Sequence, residues 1–181
     1  MSEKTALRAA LRARRDAFAA TAPEAIRVDA AFLALLVPES VVASYVPIGS
    51  EADPAPLERA ALAQGCRLAL PQVIDRATPL RFALHDPAVP LVPGPFGLRQ
   101  PPAVAPAAVP DLVLTPLVGF DRALNRIGQG AGHYDRAFAA FPDAHRIGIA
   151  WSVQEIDPIQ PDPWDMPLHA IATEREWIVR A

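Results

Sequence analysis

Residues 111–138 read DLVLTPLVGFDRALNRIGQGAGHYDRAF. An apolar run from Leu112 to Leu114 leads to a loop with glycines at 128, 130 and 132, and helix-forming residues follow from Tyr134 to Phe141. Strand, glycine-rich loop and helix in that order indicate an α/β protein, in which ligands bind beyond the carboxyl ends of the strands. Three alternate glycines let the backbone turn tightly and approach a ligand closely. The exposed amides of Gly128, Gln129, Gly130, Ala131 and Gly132, with the start of the next helix, make a nest for an anion. Arg126 precedes this loop and Arg136 follows it, so cations flank the proposed phosphate site. No Gly-Lys-Ser or Gly-Lys-Thr is present, and the spacing is one residue short of the dinucleotide fingerprint. Taken alone, the loop also fits a plain tight turn. Asp135, just after the glycines, is suited to phosphates through a bridging Mg²⁺; as an alternative it is an acid favoured at a helix start. Asp165, within Pro163-Trp164-Asp165-Met166-Pro167, is a second candidate metal ligand or a turn residue.

Outward from this block, short apolar stretches alternate with helical ones. Residues 3–20 lack Gly and Pro and predict a helix. Leu7, Leu11 and Phe18 mark its apolar stripe, and Lys4, Arg8, Arg12 and Arg15 a basic one. A second helix is expected from Pro23 to about Leu36. Val41 to Val46 reads as a buried strand, and Asp53 with Pro54 as a helix start, with Gly65 as its stop. Strands are expected at Arg67 to Leu70, closed by Pro71, and at 80–84, 112–114, 147–151, 170–173 and 177–179. The proline-rich stretch 86–110 is expected to be a long ordered excursion. Together these predict a single domain over 1–181, of α/β class with a mostly parallel sheet.

Composition narrows the function. The chain has 181 residues and a net charge of −3, which argues against a general nucleic-acid binder. No apolar run approaches the roughly 20 residues needed to cross a bilayer, and the first fifteen residues lack the apolar core of a secretory signal. Cys66 is the one cysteine, so no internal disulfide is expected, and a cytoplasmic location fits. The 17 basic residues are 16 Arg and one Lys, Lys4. That lone Lys is either a solvated surface residue or a retained point charge.

The ordered set Phe120, Asp121, Arg126, Ile127, Gly128, Gly130, Gly132, Tyr134, Asp135 and Arg136 resembles the glycine-rich block of the 5-formyltetrahydrofolate cyclo-ligase family. Lys4-x-x-Leu7-Arg8, Tyr45-x-Pro47 with Glu51, Pro71, Gly97-Leu98-x-x-Pro101, Asp165 and Thr173-Glu174 match that family's other motifs in order. Four residues depart from its pattern: Gln100 stands for Glu, Leu124 for Gly, and Gln129 and His133 for residues commonly aromatic or apolar. The resemblance implies a three-layer α/β/α sandwich like that of sugar-phosphate isomerases and CoA transferases. It implies ATP-dependent closure of 5-formyltetrahydrofolate to 5,10-methenyltetrahydrofolate, with ATP as co-substrate and Mg²⁺ as cofactor. Arg126, Tyr134 and Asp135 would then be catalytic. Lys4, Arg8, Arg126, the segment Gly128, Gln129, Gly130, Ala131, Gly132, and His133 and Tyr134 would hold ATP. Val46, Glu51, Gly130 and Tyr134 would meet the folate, and Asp135 and Asp165 the metal. A monomer is expected, with a dimer as the alternative. Two other readings stay open on the residues alone: a sugar-phosphate isomerase that needs no ATP, and a nucleotide-binding module without turnover.

Overall fold

The computed structural model describes residues 3–75, 78, 80–162 and 165–180. Helices form at Glu3–Ala19 (α1), Ala30–Leu33 (α2), Ala55–Ala63 (α3) and His133–Ala140 (α4). Strands form at Val41–Ala43 (β1), Arg67–Gln72 (β2), Arg81–Leu84 (β3), Val92–Pro93 (β4), Arg99–Gln100 (β5), Ala107–Ala108 (β6), Leu112–Pro116 (β7), Gly119–Phe120 (β8), Arg126–Ile127 (β9), His145–Ile149 (β10), Ala170–Ala172 (β11) and Trp177–Ile178 (β12). Eight of them make one sheet in the order β12-β11-β10-β7-β1-β2-β3-β6, while β4-β5 and β8-β9 are separate two-stranded ribbons. The five central strands, β11 to β2, run parallel; β12, β3 and β6 add antiparallel margins.

Strand residues alternate between two cores, as the pleat requires. Val42 and Leu114 pack with Phe32 and Leu57 on the face covered by α2 and α3. Ala43 and Val113 pack with Phe138 of α4 on the other face. Helices therefore cover both faces of the sheet. The chain leaves β1 through α3 toward β2, and leaves β7 through α4 toward β10, on the opposite side. The connections after β1 and β7 therefore turn to opposite faces, which makes a topological switch point of the kind at which such sheets commonly bind ligands.

Four expectations need correction. Residues 23–29 are not helical: Ile26 is buried and Arg27 N donates to Thr173 O at 3.1 Å, so docking on the sheet overrides helix propensity until Asp29 caps the short α2. The strand after Gly65 continues through Pro71 to Gln72. It can, because β1 pairs only with Arg67, Leu68 and Ala69, so the missing N–H of Pro71 costs no ladder bond on that side. The first strand stops at Ala43 instead of running to Val46. The start of α3 lies one residue later than expected, with Asp53 Oδ1 still accepting from Ala55 N at 3.0 Å. The 86–110 excursion is ordered as the β4-β5 ribbon and the margin strand β6.

Candidate active site

A cavity of about 860 Å³ opens beside the glycine loop. Its walls come from α1, from the loop running through β9 into α4, and from the segment 156–165. Lys4, Arg8, Arg126, Gly128, Gln129, Gly130, Ala131, Gly132, His133, Tyr134, Asp135 and Asp165 all line it. Residues more than 150 apart in sequence thus meet in one site. Val46 and Glu51 are not among the lining residues; Val46 is half-buried where β1 has ended.

Helix α1 braces both diverging loops with one row of guanidiniums. Arg8 Nε donates to Gly128 O at 3.0 Å, Arg12 Nη2 to Gln129 Oε1 at 2.7 Å, and Arg15 Nε to Ser50 Oγ at 2.9 Å. A row at helical spacing reaches along the groove in this way because residues three and four apart share a face. The loop can come this close because it is glycine. Gly130 has φ +99°, and a Cβ there would stand 3.4 Å from Arg8 Cζ; Gly132 has φ +66°. Both are left-handed backbone positions that other residues adopt at a cost.

Arg126 forms an ion pair through Nη2 with Asp135 Oδ1, and its guanidinium lies 5.0 Å from the centre of the Phe138 ring. Its Nε is buried and has no hydrogen-bond partner among the described residues, leaving donor capacity for an incoming anion. Burial, and then the Glu51 carboxylate, hold the Tyr134 phenol well above its usual range, so the hydroxyl stays protonated and can donate. Glu51 thus acts electrostatically on Tyr134 although it lies outside the cavity wall. Its side chain is 7% exposed, its Oε2 accepts from Ile48 N at 3.0 Å, and its Oε1 accepts from Gln129 Nε2 at 3.0 Å with Arg15 Nη1 3.8 Å away.

The acidic wall at 156–165 contains an acid that motif reading passed over, Asp162. Lys4 Nζ pairs with Asp162 Oδ2 at 2.5 Å. Asp162 N donates to Asp165 Oδ2, and Asp165 N to Asp162 O, both at 2.9 Å, so the turn reading of Asp165 holds alongside its place in the cavity. Pro163 and Trp164 of that motif lie outside the described residues. Asp121, 2% exposed, accepts from Asn125 N at 3.0 Å, Asn125 Nδ2 at 2.9 Å and Ile159 N at 2.7 Å. It therefore fixes both the β8-β9 ribbon that carries Arg126 and the wall at 156–160. No local signal marks Asp162 as a partner of Lys4, since 158 residues separate them. Among the described residues, no group of three or more His, Cys, Asp or Glu side chains is placed to hold a metal by itself.

These features define an α/β protein with a cation-lined cavity beyond the carboxyl ends of β7 and β10. The chain belongs to the 5-formyltetrahydrofolate cyclo-ligase family, whose model matches residues 1–174. It is 32% identical over 194 aligned residues to the 5-formyltetrahydrofolate cyclo-ligase of Mycolicibacterium smegmatis, covering 97% of this chain and 96% of that protein. It is 30% identical to the Escherichia coli K12 enzyme of the same name, over 73% of this chain and 76% of the other. Its structure resembles the 5,10-methenyltetrahydrofolate synthetase of Aquifex aeolicus with a TM-score of 0.75 and 26% identity, covering 98% and 93% of the two chains. For the synthetase of Mycoplasma pneumoniae the TM-score is 0.65 and the identity 25%, covering 96% and 100%.

Proposed function

We propose that this chain converts 5-formyltetrahydrofolate and ATP to 5,10-methenyltetrahydrofolate, ADP and phosphate. The observation that carries this reading is the convergence of Lys4, Arg8, Arg126 and the glycine loop on one cavity that also contains Asp135. A formyl amide oxygen is a poor leaving group. Transfer of the γ-phosphoryl group of ATP to it forms an O–P bond and releases ADP. The ten-position nitrogen then attacks the activated carbon and loses its proton, and the C–O bond breaks as phosphate departs. No protein nucleophile is required. Catalysis consists of alignment and charge neutralisation.

In this reading Lys4, Arg8 and the amides of residues 128–132 hold the phosphates. Arg126, desolvated and with its Nε unpartnered, stabilises the charge that develops on the transferring group. The Tyr134 hydroxyl, kept protonated, donates where the two substrates meet. Glu51 accepts hydrogen bonds from the donor edge of the pterin, with Val46 beside it. Asp135 and Asp165 fit Mg²⁺, which uses one or two carboxylates and completes its shell with water and phosphate oxygens; when bound, it neutralises phosphate charge. The Asp135 Oδ1 interaction with Arg126 leaves Oδ2 for that purpose. The two-faced sheet is also consistent with the layered architecture of sugar-phosphate isomerases and CoA transferases.

The test is to mix the protein with ATP, Mg²⁺ and 5-formyltetrahydrofolate, then follow the methenyl chromophore and ADP together. We expect both to appear in equal amounts, and neither in excess EDTA. Product without ADP would overturn the role of ATP, while ADP release without product would favour a nucleotide-binding module.

A further inference from the structure

The side chain of Gln129 joins the glycine loop to Glu51. Its Oε1 accepts from Arg12 Nε at 3.1 Å and Nη2 at 2.7 Å, and its Nε2 donates to Glu51 Oε1 at 3.0 Å. The orientation of the amide follows from chemistry, because a guanidinium only donates and an ionised carboxylate only accepts. An amide satisfies both neighbours at once; a carboxylate or an alkyl chain cannot. Gln129 lies between Gly128 and Gly130, whose backbone faces the cavity, and Gly128 O is held by Arg8. Glu51 accepts two hydrogen bonds, from Gln129 Nε2 and Ile48 N, with Arg15 Nη1 3.8 Å away, so about two of its four acceptor sites remain for donors on a ligand.

We propose that Gln129 is a positioning residue that couples the two substrates: nucleotide in the glycine loop fixes Gln129, and Gln129 fixes the Glu51 carboxylate for the folate. This rests on the reading of Glu51 as the pterin acceptor. Coupling of this kind is reciprocal, so folate tightens nucleotide by the same factor. The Arg12 contacts use only oxygens of Gln129, and the Glu51 contact uses only its amide nitrogen. Two variants therefore separate coupling from simple tethering of the loop. Gln129→Leu loses both interactions. Gln129→Glu keeps an acceptor for Arg12, and so the tether, but loses the donor to Glu51 and sets two carboxylates side by side.

The experiment is calorimetric titration of 5-formyltetrahydrofolate into the protein, free and saturated with a non-hydrolysable ATP analogue and Mg²⁺. In the wild type we expect the analogue to lower the folate Kd by about fivefold or more, the lower end of typical coupling. In Gln129→Leu and Gln129→Glu that ratio falls below about twofold, whatever either change does to binding of the analogue alone. A wild-type ratio near one, or full coupling in Gln129→Glu, overturns the proposal even if both ligands bind. A wild type that does not bind 5-formyltetrahydrofolate under either condition overturns the substrate reading, and the coupling with it.

Discussion

Lys4 is the one lysine in a chain with 17 basic residues, and it stands in the cavity paired with Asp162. Its side chain is 59% exposed, so this pair contributes at most about 1 kcal/mol. Phosphate oxygens can displace the carboxylate at that cost. ATP with Mg²⁺ is therefore expected to protect Lys4 from an amine-selective reagent, read by peptide mapping, and Lys4→Ala to weaken ATP binding by about 1–3 kcal/mol. Equal labelling with and without saturating ATP would return Lys4 to a surface role. The lysine and the glycine block were legible in the sequence because their chemistry is local. Asp162 was not, nor was the Arg12–Gln129–Glu51 chain, because those depend on how distant loops meet. Two departures from the family pattern make contacts within the fold. Gln100 Oε1 accepts from Val73 N at 3.0 Å and ties β5 to the end of β2, and His133 Nδ1 stands 3.3 Å from Arg136 Nη2 at the start of α4.

Among the elements, the glycine-to-α4 unit and the central strands were readable from apolar runs bounded by Gly and Pro. The sequence misled where tertiary contact overrides local preference, at residues 23–29 and at Pro71. Leu124, where the family pattern has Gly, shows the reverse relation. It adopts φ +68° in the turn between β8 and β9, a conformation that glycine tolerates, yet its side chain is 2% exposed in the core beside α4. Leu124→Gly relieves about 1–2 kcal/mol of backbone strain. It also removes a buried leucine, a class of change costing about 2–5 kcal/mol. The expected net loss is about 1–3 kcal/mol, seen as a lower urea midpoint with an unchanged slope. An equal or higher midpoint would mean that strain dominates at this position.

At the scale of the molecule, a pair of histidines lies at the end of the sheet away from the cavity. His145 begins β10, away from the cavity, and its ring lies 4.7 Å from that of His169. His169 Nδ1 accepts from Arg146 N at 2.9 Å, and Arg146 Nη2 stands 3.1 Å from Nε2. Burial, then Arg146, then His145 hold His169 below its ordinary value of 6.5. Between that lowered value and 6.5 the unfolded chain binds a proton that the folded chain does not, so stability rises with pH through this window and levels above it. Urea unfolding at a series of pH values should show that slope, and His169→Gln should flatten it, leaving a remainder from His85, which burial also lowers. Parallel curves for the variant and the wild type would remove His169 as the cause.

The cavity end carries the proposed chemistry, in which the cations and the glycine loop serve transfer of a phosphoryl group to the formyl oxygen. The most direct measurement uses 5-formyltetrahydrofolate labelled with ¹⁸O in the formyl group, turned over with unlabelled ATP and Mg²⁺ in unlabelled water. If the formyl oxygen is phosphorylated and then leaves with phosphorus, the label is recovered in inorganic phosphate, one atom per methenyl product formed. Unlabelled phosphate, with the ¹⁸O released to water, would contradict it.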